Sequence, residues 1–90
     1  MNKVVITVVG KDTVGILAKI CTYLADNGVN VCDLSQTIVQ GFFNMMMIVD
    51  TAASTKPFAA LGRELARLGM DIGLRIRCQK ADIFEKMHRV

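Results

Sequence analysis

The alternation of apolar and polar positions predicts a strand and then a helix at the start of the chain. Residues 3–9 form a nearly continuous β-branched run, which is typical of a strand covered on at least one face. After a turn at residues 10–13, apolar side chains recur at the three- and four-residue spacing of an amphipathic helix; these are Leu17, Ile20, Cys21 and Leu24. Gly28 predicts the end of this helix, because glycine readily adopts the left-handed backbone that closes many helices.

The next two segments have the pattern of a β-hairpin. Residues 29–40 predict a strand whose alternation changes phase near residues 32–33, and a β-bulge there would reconcile its two halves. Residues 40–41 predict the turn and residues 42–49 the return strand. The return strand is apolar at both odd and even positions, so we expect it to be central with both faces at least partly covered. The strand over 29–40 is expected at the edge of the sheet.

The second half of the chain predicts another helix and strand. Residues 58–68 carry apolar side chains at helical spacing, with Pro57 suited to the first helical position and Gly69 to the end. Apolar and polar residues then alternate from 70 to 79, which is the clearest strand pattern in the sequence. Residues 81–90 predict a short terminal helix.

The order of these elements predicts a fold of the α+β class. Strand, helix, strand, strand, helix, strand is the βαββαβ order of a ferredoxin-like sandwich. Right-handed crossovers then place two helices on one face of a four-stranded antiparallel sheet, with the short C-terminal helix added. Ninety residues are enough for one domain, 1–90.

The composition indicates a folded chain that associates with copies of itself. The apolar fraction is 52% and the charged fraction 21%, which excludes the low-hydropathy disordered class. So high an apolar content in a short chain suggests surface covered by another subunit, and we expect a homo-oligomer, in the simplest case a dimer.

The sequence also predicts a cytoplasmic protein without a metal. No apolar run approaches the roughly 18 residues of a membrane span, and the run at 3–9 leads into a turn without a signal-peptide cleavage site. The three cysteines form neither a CxxC motif nor a zinc spacing, so we interpret them as buried, reduced thiols.

The sequence shows no group of residues with the spacing of a catalytic site. Residues 10–15 have the two-glycine spacing of a phosphate loop, but Ile16 and Leu17 stand where lysine and a hydroxyl residue should follow, which excludes nucleotide hydrolysis. His88 has no nucleophile near it in sequence, and the carboxylates are scattered singly. We therefore expect no enzyme activity and no cofactor.

The turn after the first strand is nonetheless a candidate ligand site. Backbone N–H groups around Gly15, Ile16 and Leu17 would lie at the positive end of a helix, where a carboxylate or phosphate can dock. Asp12 beside them can pair with an ammonium group, and the two together match an amino-acid zwitterion. The alternative is that Asp12 or Thr13 caps the helix and that Gly15 allows close packing.

Three segments carry a resemblance to a known family. Residues 5–18, VITVVGKDTVGILA, resemble the strand and G-x-D-x-x-G-I opening of ACT domains. Residues 24–31, LADNGVNV, resemble the helix end and the entry to the second strand of those domains. LSQT at 34–37 and the Met-rich third strand are similar to stand-alone ACT proteins of bacteria and archaea, and the glycine-cleavage repressor and formyltetrahydrofolate deformylase open similarly.

The resemblance implies a regulatory domain that binds an amino acid or related metabolite at a dimer interface. By that resemblance the ligand site would include Asn30 and the turn residues Asp12, Thr13, Val14, Gly15, Ile16 and Leu17. Lys11, Thr13 and Val14 occupy variable positions of the family. The sequence shows no attached enzyme or DNA-binding domain, so the regulated partner would be an unidentified separate protein.

Two other functions of the same fold class fit the sequence less well. RNA-recognition domains stack bases on aromatic residues of the two central strands, but the first strand has none and Phe42 and Phe43 lack the surrounding basic and glycine pattern. Nucleic-acid binding therefore stays an alternative, supported by the shared topology and by the net charge of +3. An acylphosphatase-like enzyme needs an arginine after the first strand, and residues 10–15 contain none.

Overall fold

The predicted order of strands and helices is confirmed by a computed structural model, which describes residues 3–11 and 14–81. The elements are β1 (Lys3–Lys11), α1 (Ile16–Asp26), β2 (Asn30–Val39), β3 (Phe42–Asp50), α2 (Phe58–Asp71) and β4 (Leu74–Lys80). The terminal helix predicted over 81–90 lies outside the described residues from position 82 onward.

The four strands form one antiparallel sheet in the order β2-β3-β1-β4. β1 and β3 are therefore central and β2 is an edge strand, as predicted. The predicted bulge is confirmed between Val31 and Asp33, where the register of β2 against β3 shifts by one residue. Gln40 and Gly41 both have positive φ angles, 51° and 81°, which is the backbone of a tight hairpin turn.

A single apolar cluster joins both helices to one face of the sheet. Ile6 and Met47 are paired across β1 and β3 and are 1% and 0% exposed, and Ile20 of α1 is likewise fully buried. Burial of these side chains supplies the main favourable free energy of folding. The other fully buried side chains of the cluster come from both central strands and both helices: Val8, Leu24, Val49 and Leu65.

The opposite side of the sheet, here called the outer face, carries the side chains of the other strand parity. The molecule is 19 Å thick in its shortest dimension, about the thickness of one helix layer on one sheet. Val9, Phe42 and Met46 on this face are 46%, 54% and 45% exposed. The outer face of β3 is thus only partly covered, since Ile48 is partly buried whereas Met46 and Phe42 are about half exposed.

The second helix does not end at Gly69 as predicted. α2 continues to Asp71, and Gly73 provides the left-handed residue after it, with φ +78°. Gly69 is instead a point of close approach: a Cβ there would lie 2.8 Å from the carbonyl oxygen of Leu74 and 2.9 Å from Cγ1 of Ile76. The helix begins at Phe58, and Pro57 is the capping residue rather than the first helical one.

Replacing either of two glycines of α2 by alanine should change the free energy of unfolding, in opposite directions for the two positions. Gly69→Ala should destabilise the fold by about 1–3 kcal/mol, because the added methyl group overpacks the contact with β4. Gly62→Ala is the matched control, since its Cβ would have only Cys78 at 4.0 Å. This second change should stabilise the helix by about 0.5–1 kcal/mol. Urea unfolding of both variants measures the difference, and two effects of the same sign would contradict this packing.

Candidate functional site

The turn between β1 and α1 is built around a left-handed glycine. β1 ends at Lys11, and α1 begins at Ile16 with Gly15 in the capping position at φ +84° and ψ 5°. The capping position is thus filled by glycine and not by Asp12 or Thr13, which both lie outside the described residues.

The space around this turn is open. Apart from its chain neighbours, no atom of residues 3–11 and 14–81 lies within 4 Å of the position that a Cβ on Gly15 would take, and Val14 is 99% exposed. The idea that Gly15 allows close packing is therefore wrong. Position 15 requires glycine because its left-handed backbone conformation costs other residues roughly 1–2 kcal/mol. A small molecule can approach this backbone from solvent.

The first turn of α1 presents donors and no competing charge. The first helical hydrogen bond runs from the N–H of Lys19 to the carbonyl of Gly15 at 3.0 Å, so the N–H groups before it have no acceptor within the helix. The first turn of α1 contains no acidic residue that would neutralise the positive end of the dipole. The side chains of Ile16 and Leu17 pack in or against the core, so these two positions can offer a ligand their backbone groups only.

Asn30 lies at the other end of the sheet from this turn. Asn30 and Lys3 both pair with Asp50, whereas Lys11 pairs with Phe42. Eight residues of β1 separate these two levels, which is about 27 Å along an antiparallel strand. One chain therefore does not bring Asn30 together with the β1–α1 turn.

The exposed Asn30 has its own small polar neighbourhood. The ammonium group of Lys3 lies 3.2 Å from Sγ of Cys32, and Nδ2 of Asn30 lies 3.9 Å from the same sulfur. The hydrogen bond with Cys32 raises the pKa of Lys3. Cys32 is exposed, so the expectation of three buried thiols is wrong at this position. Cys21 and Cys78 are partly buried, and burial raises the pKa of Cys78 to about 11.

A polar cluster between the helices was not predicted from the sequence. The hydroxyl of Tyr23 on α1 donates to Oε1 of Glu64 on α2 at 2.7 Å, and the ammonium group of Lys56 reaches the same oxygen at 2.5 Å. Lys56 also lies 5.9 Å from the centre of the Tyr23 ring. The hydrogen bond from Lys56, and after it that from Tyr23, lowers the pKa of Glu64. Burial, and then the bond to Glu64, raises the pKa of Tyr23.

This cluster should make stability depend on pH. The pKa of Glu64 is lower in the folded chain than its ordinary value of 4.5, so its carboxylate stabilises the fold above that pH. The contribution is lost as the pH falls through the lowered value. Glu64→Gln should therefore be less stable than the parent at pH 7, and the difference should shrink on acidification to about pH 3.

Thermal unfolding of both proteins across this pH range measures that difference. Asp71→Asn, at an exposed position near the end of α2, is the control for loss of one negative charge. A difference between parent and Glu64→Gln that stays constant from neutral to acid pH would contradict the assigned role of Glu64.

Comparison with known proteins places these features in a family context. The family model described as ACT domain matches residues 2–79. A UPF0237 protein of Bifidobacterium longum is 62% identical over 90 residues, which cover all of both chains, and one of Methanocaldococcus jannaschii is 42% identical over the same extent. An ACT domain protein from Streptococcus pneumoniae has a similar structure, with a TM-score of 0.81 and 38% identity over 92% of this chain and 93% of that one.

The predicted likeness to two larger proteins is confirmed at the level of the fold. A formyltetrahydrofolate deformylase from Pseudomonas syringae matches with a TM-score of 0.81 at 16% identity, over 88% of this chain and 27% of its own. A protein described as a glycine cleavage system transcriptional repressor matches with a TM-score of 0.74 at 24% identity, over 87% and 44%. Across 3–11 and 14–81, no helix is long and apolar enough to cross a membrane.

Proposed function

Because the chain belongs to the ACT-domain family, whose members are generally regulatory and bind small molecules such as amino acids, we propose that it binds an amino acid at the β1–α1 turn and catalyses no reaction. The observation that carries this proposal is the open start of α1. Backbone N–H groups of the first helical turn follow Gly15, and that turn has no acidic side chain. The other half of the zwitterion, the ammonium group, would pair with Asp12.

The physical basis of recognition is complementary charge at both ends of a short ligand. A carboxylate at a helix N-terminus gains hydrogen bonds and a favourable dipole interaction. A carboxylate of the protein then selects the ammonium group and rejects anions that lack one. Val14, fully exposed beside the turn, would contact the part of the ligand that varies between amino acids.

If Asn30 takes part in the site, as the family resemblance implies, the site must be shared between two copies. An amino acid cannot span the roughly 27 Å between Asn30 and the turn of the same chain. Antiparallel pairing of the free edge of β2 with β2 of a second copy would reverse the strand direction. It would bring Asn30 of one copy to the Val39 end of the other, the level at which Lys11 leads into the turn. The proposed unit is therefore a homodimer with two equivalent sites.

The proposed setting is the cytoplasm. All three cysteines are free, as expected in a reducing compartment. The ligand would change the preferred arrangement of the two copies, and a separate enzyme or regulator would respond to it, because a ligand shifts an equilibrium only by binding one arrangement better than another.

A thermal-shift screen against the twenty amino acids and common cofactors tests the proposal first. A ligand at about a hundred times its dissociation constant should stabilise the fold by roughly 2.7 kcal/mol. No shift with any amino acid at millimolar concentration would contradict amino-acid binding.

The role of Asp12 can then be tested with the amino acid that gives the largest shift. Asp12→Ala should weaken binding about ten- to a hundredfold, because a charge-assisted hydrogen bond in a partly enclosed site contributes roughly 1.5–3 kcal/mol. Asp12→Asn, which keeps an acceptor and loses the charge, should bind with intermediate affinity. Calorimetric titration measures both. Unchanged affinity of Asp12→Ala would show instead that Asp12 takes no part in binding the ligand.

Mixing two defective variants tests whether the site is shared. Asp12→Ala and Asn30→Ala homodimers each lack one group in both sites, whereas a heterodimer has one intact site and one doubly defective site. Random exchange should restore parental affinity in about a quarter of all sites. Titration of the mixture measures this fraction. A mixture that binds no better than its components would show that Asn30 and Asp12 do not act on the same ligand across two copies.

A further inference from the structure

Val5 is buried on the outer face of the sheet, on the side away from both described helices. Val4 and Ile6 on either side of it belong to the core cluster, so the side chain of Val5 projects to the opposite face. Val5 is nonetheless 4% exposed, whereas Val9, on the same strand and the same face, is 46% exposed. Two valines in equivalent positions of one strand therefore have different surroundings above the sheet.

The sheet itself does not account for the burial of Val5. Its cross-strand neighbours are Ile48 on β3 and Gln79 on β4, and Gln79 is itself exposed. Neighbours in a sheet lie beside a side chain, about 5 Å away, and leave its upper side open. Ile48 is also partly buried, whereas Met46, the next outward residue of β3, is 45% exposed. Another segment of the chain therefore covers one end of the outer face, the end at which β1 begins and β4 ends.

The described helices and the loop near that end lie on the core side of the sheet. Side chains of α1 and α2 pack in the core cluster, which Val5 does not join. The loop that follows β3 also turns to the helix side, where the N–H of Thr55 donates to the carbonyl of Asn27 at 3.0 Å. The cover of Val5 must therefore come from residues outside the described ranges.

Two of these undescribed segments do not reach Val5. Residues 12–13 follow Lys11, which is six residues or about 20 Å along β1 from Val5. Residues 1–2 lie nearer, but a reversal of the chain takes about four residues, so these two cannot turn back over Val5.

Residues 82–90 begin beside Val5. Gln79 of β4 pairs with Val5, and Ala81, two residues further along the chain, is helical and 9% exposed. Two strand spacings, about 10 Å in total, separate β4 from β3. A helix of nine residues is about 14 Å long. The segment is therefore long enough to cross from β4 over β1 to β3.

The sequence of this segment has one apolar side. Ile83, Phe84 and Met87 recur at the spacing that places side chains on one side of a helix. The charged residues occupy the other positions: Asp82, Glu85, Lys86 and Arg89. A short helix of this kind is stable mainly through the packing of its apolar side.

We propose that residues 82–90 dock on the outer face as a third helix, with their apolar side against Val5 and Ile48. The partner of this end of the face is thus a segment of the same chain and not a second copy. The contact uses neither the β1–α1 turn nor the hydrogen-bonding edge of β2. Its failure would therefore leave the proposed amino-acid site and the shared homodimer site intact.

A tryptophan reporter tests the docking in the full chain, which contains no tryptophan of its own. Phe84→Trp should emit at a shorter wavelength than Glu85→Trp and be quenched several-fold less by acrylamide, because only the first side chain would lie against the sheet. Equal emission and quenching at the two positions would overturn the proposal. Shielding of Phe84→Trp that disappears on dilution would also overturn it, because another copy would then supply the cover.

A change on the sheet tests the surface that receives the segment. Ile48→Asp should move the emission of Phe84→Trp to that of Glu85→Trp. Val39→Asp, at a position 59% exposed at the other end of the outer face, is the control and should leave the emission unchanged. Circular dichroism checks that both variants are folded. A folded Ile48→Asp variant in which Phe84→Trp stays shielded would contradict the assigned contact.

A double-mutant cycle in urea measures the same contact with smaller changes, which the fold should tolerate. Val5→Ala and Phe84→Ala should each lower the folding equilibrium constant about tenfold. The two together should lower it clearly less than the product of the single effects, because residues in contact are not independent. Lys86→Ala is the control and should combine with Val5→Ala multiplicatively. Independent effects of Val5→Ala and Phe84→Ala would overturn the docking of this segment on Val5.

Discussion

Burial of one face of a four-stranded sheet beneath two helices is the constraint from which the rest of this molecule follows. The side chains of that face come from both central strands, and with Ile20 and Leu65 from the helices they form one cluster. Both helices must lie on the same side of the sheet to share it. Consequently the start of α1 lies at one end of the sheet, open to solvent, and neither of the two described helices covers the outer face of the sheet.

The periodic parts of this fold could be predicted from the sequence, because strands and helices repeat with different periods. The β-branched run of β1 and the phase change in β2 led to the correct strands, including the bulge between Val31 and Asp33. The end of α2 was predicted wrongly because a glycine can either end a helix or allow two backbones to approach closely. Gly69 looks like a helix terminator in sequence, but it is the point where α2 meets the backbone of β4.

The candidate site was predictable only in its local part. A strand, a glycine-containing turn and a helix start adjoin in sequence, so the turn at Gly15 could be identified from the residues alone. Tyr23 and Glu64 are 41 positions apart and meet only because α1 and α2 pack side by side. Asn30 follows the turn closely in sequence yet lies a full strand length from it in space. Periodicity indicated excess apolar surface on β3, but no periodic signal distinguishes cover by the same chain from cover by another copy.

The open surroundings of the β1–α1 turn bear on how this protein could change during evolution. The side chain of Val14 is almost fully exposed, and no described residue packs against the position of a Cβ on Gly15. The side chain at position 14 can therefore vary in size and polarity with little effect on the free energy of folding. New preferences for ligands could arise there without compensating changes in the core. Substitutions at this position would not carry the loss of stability that often accompanies a new function.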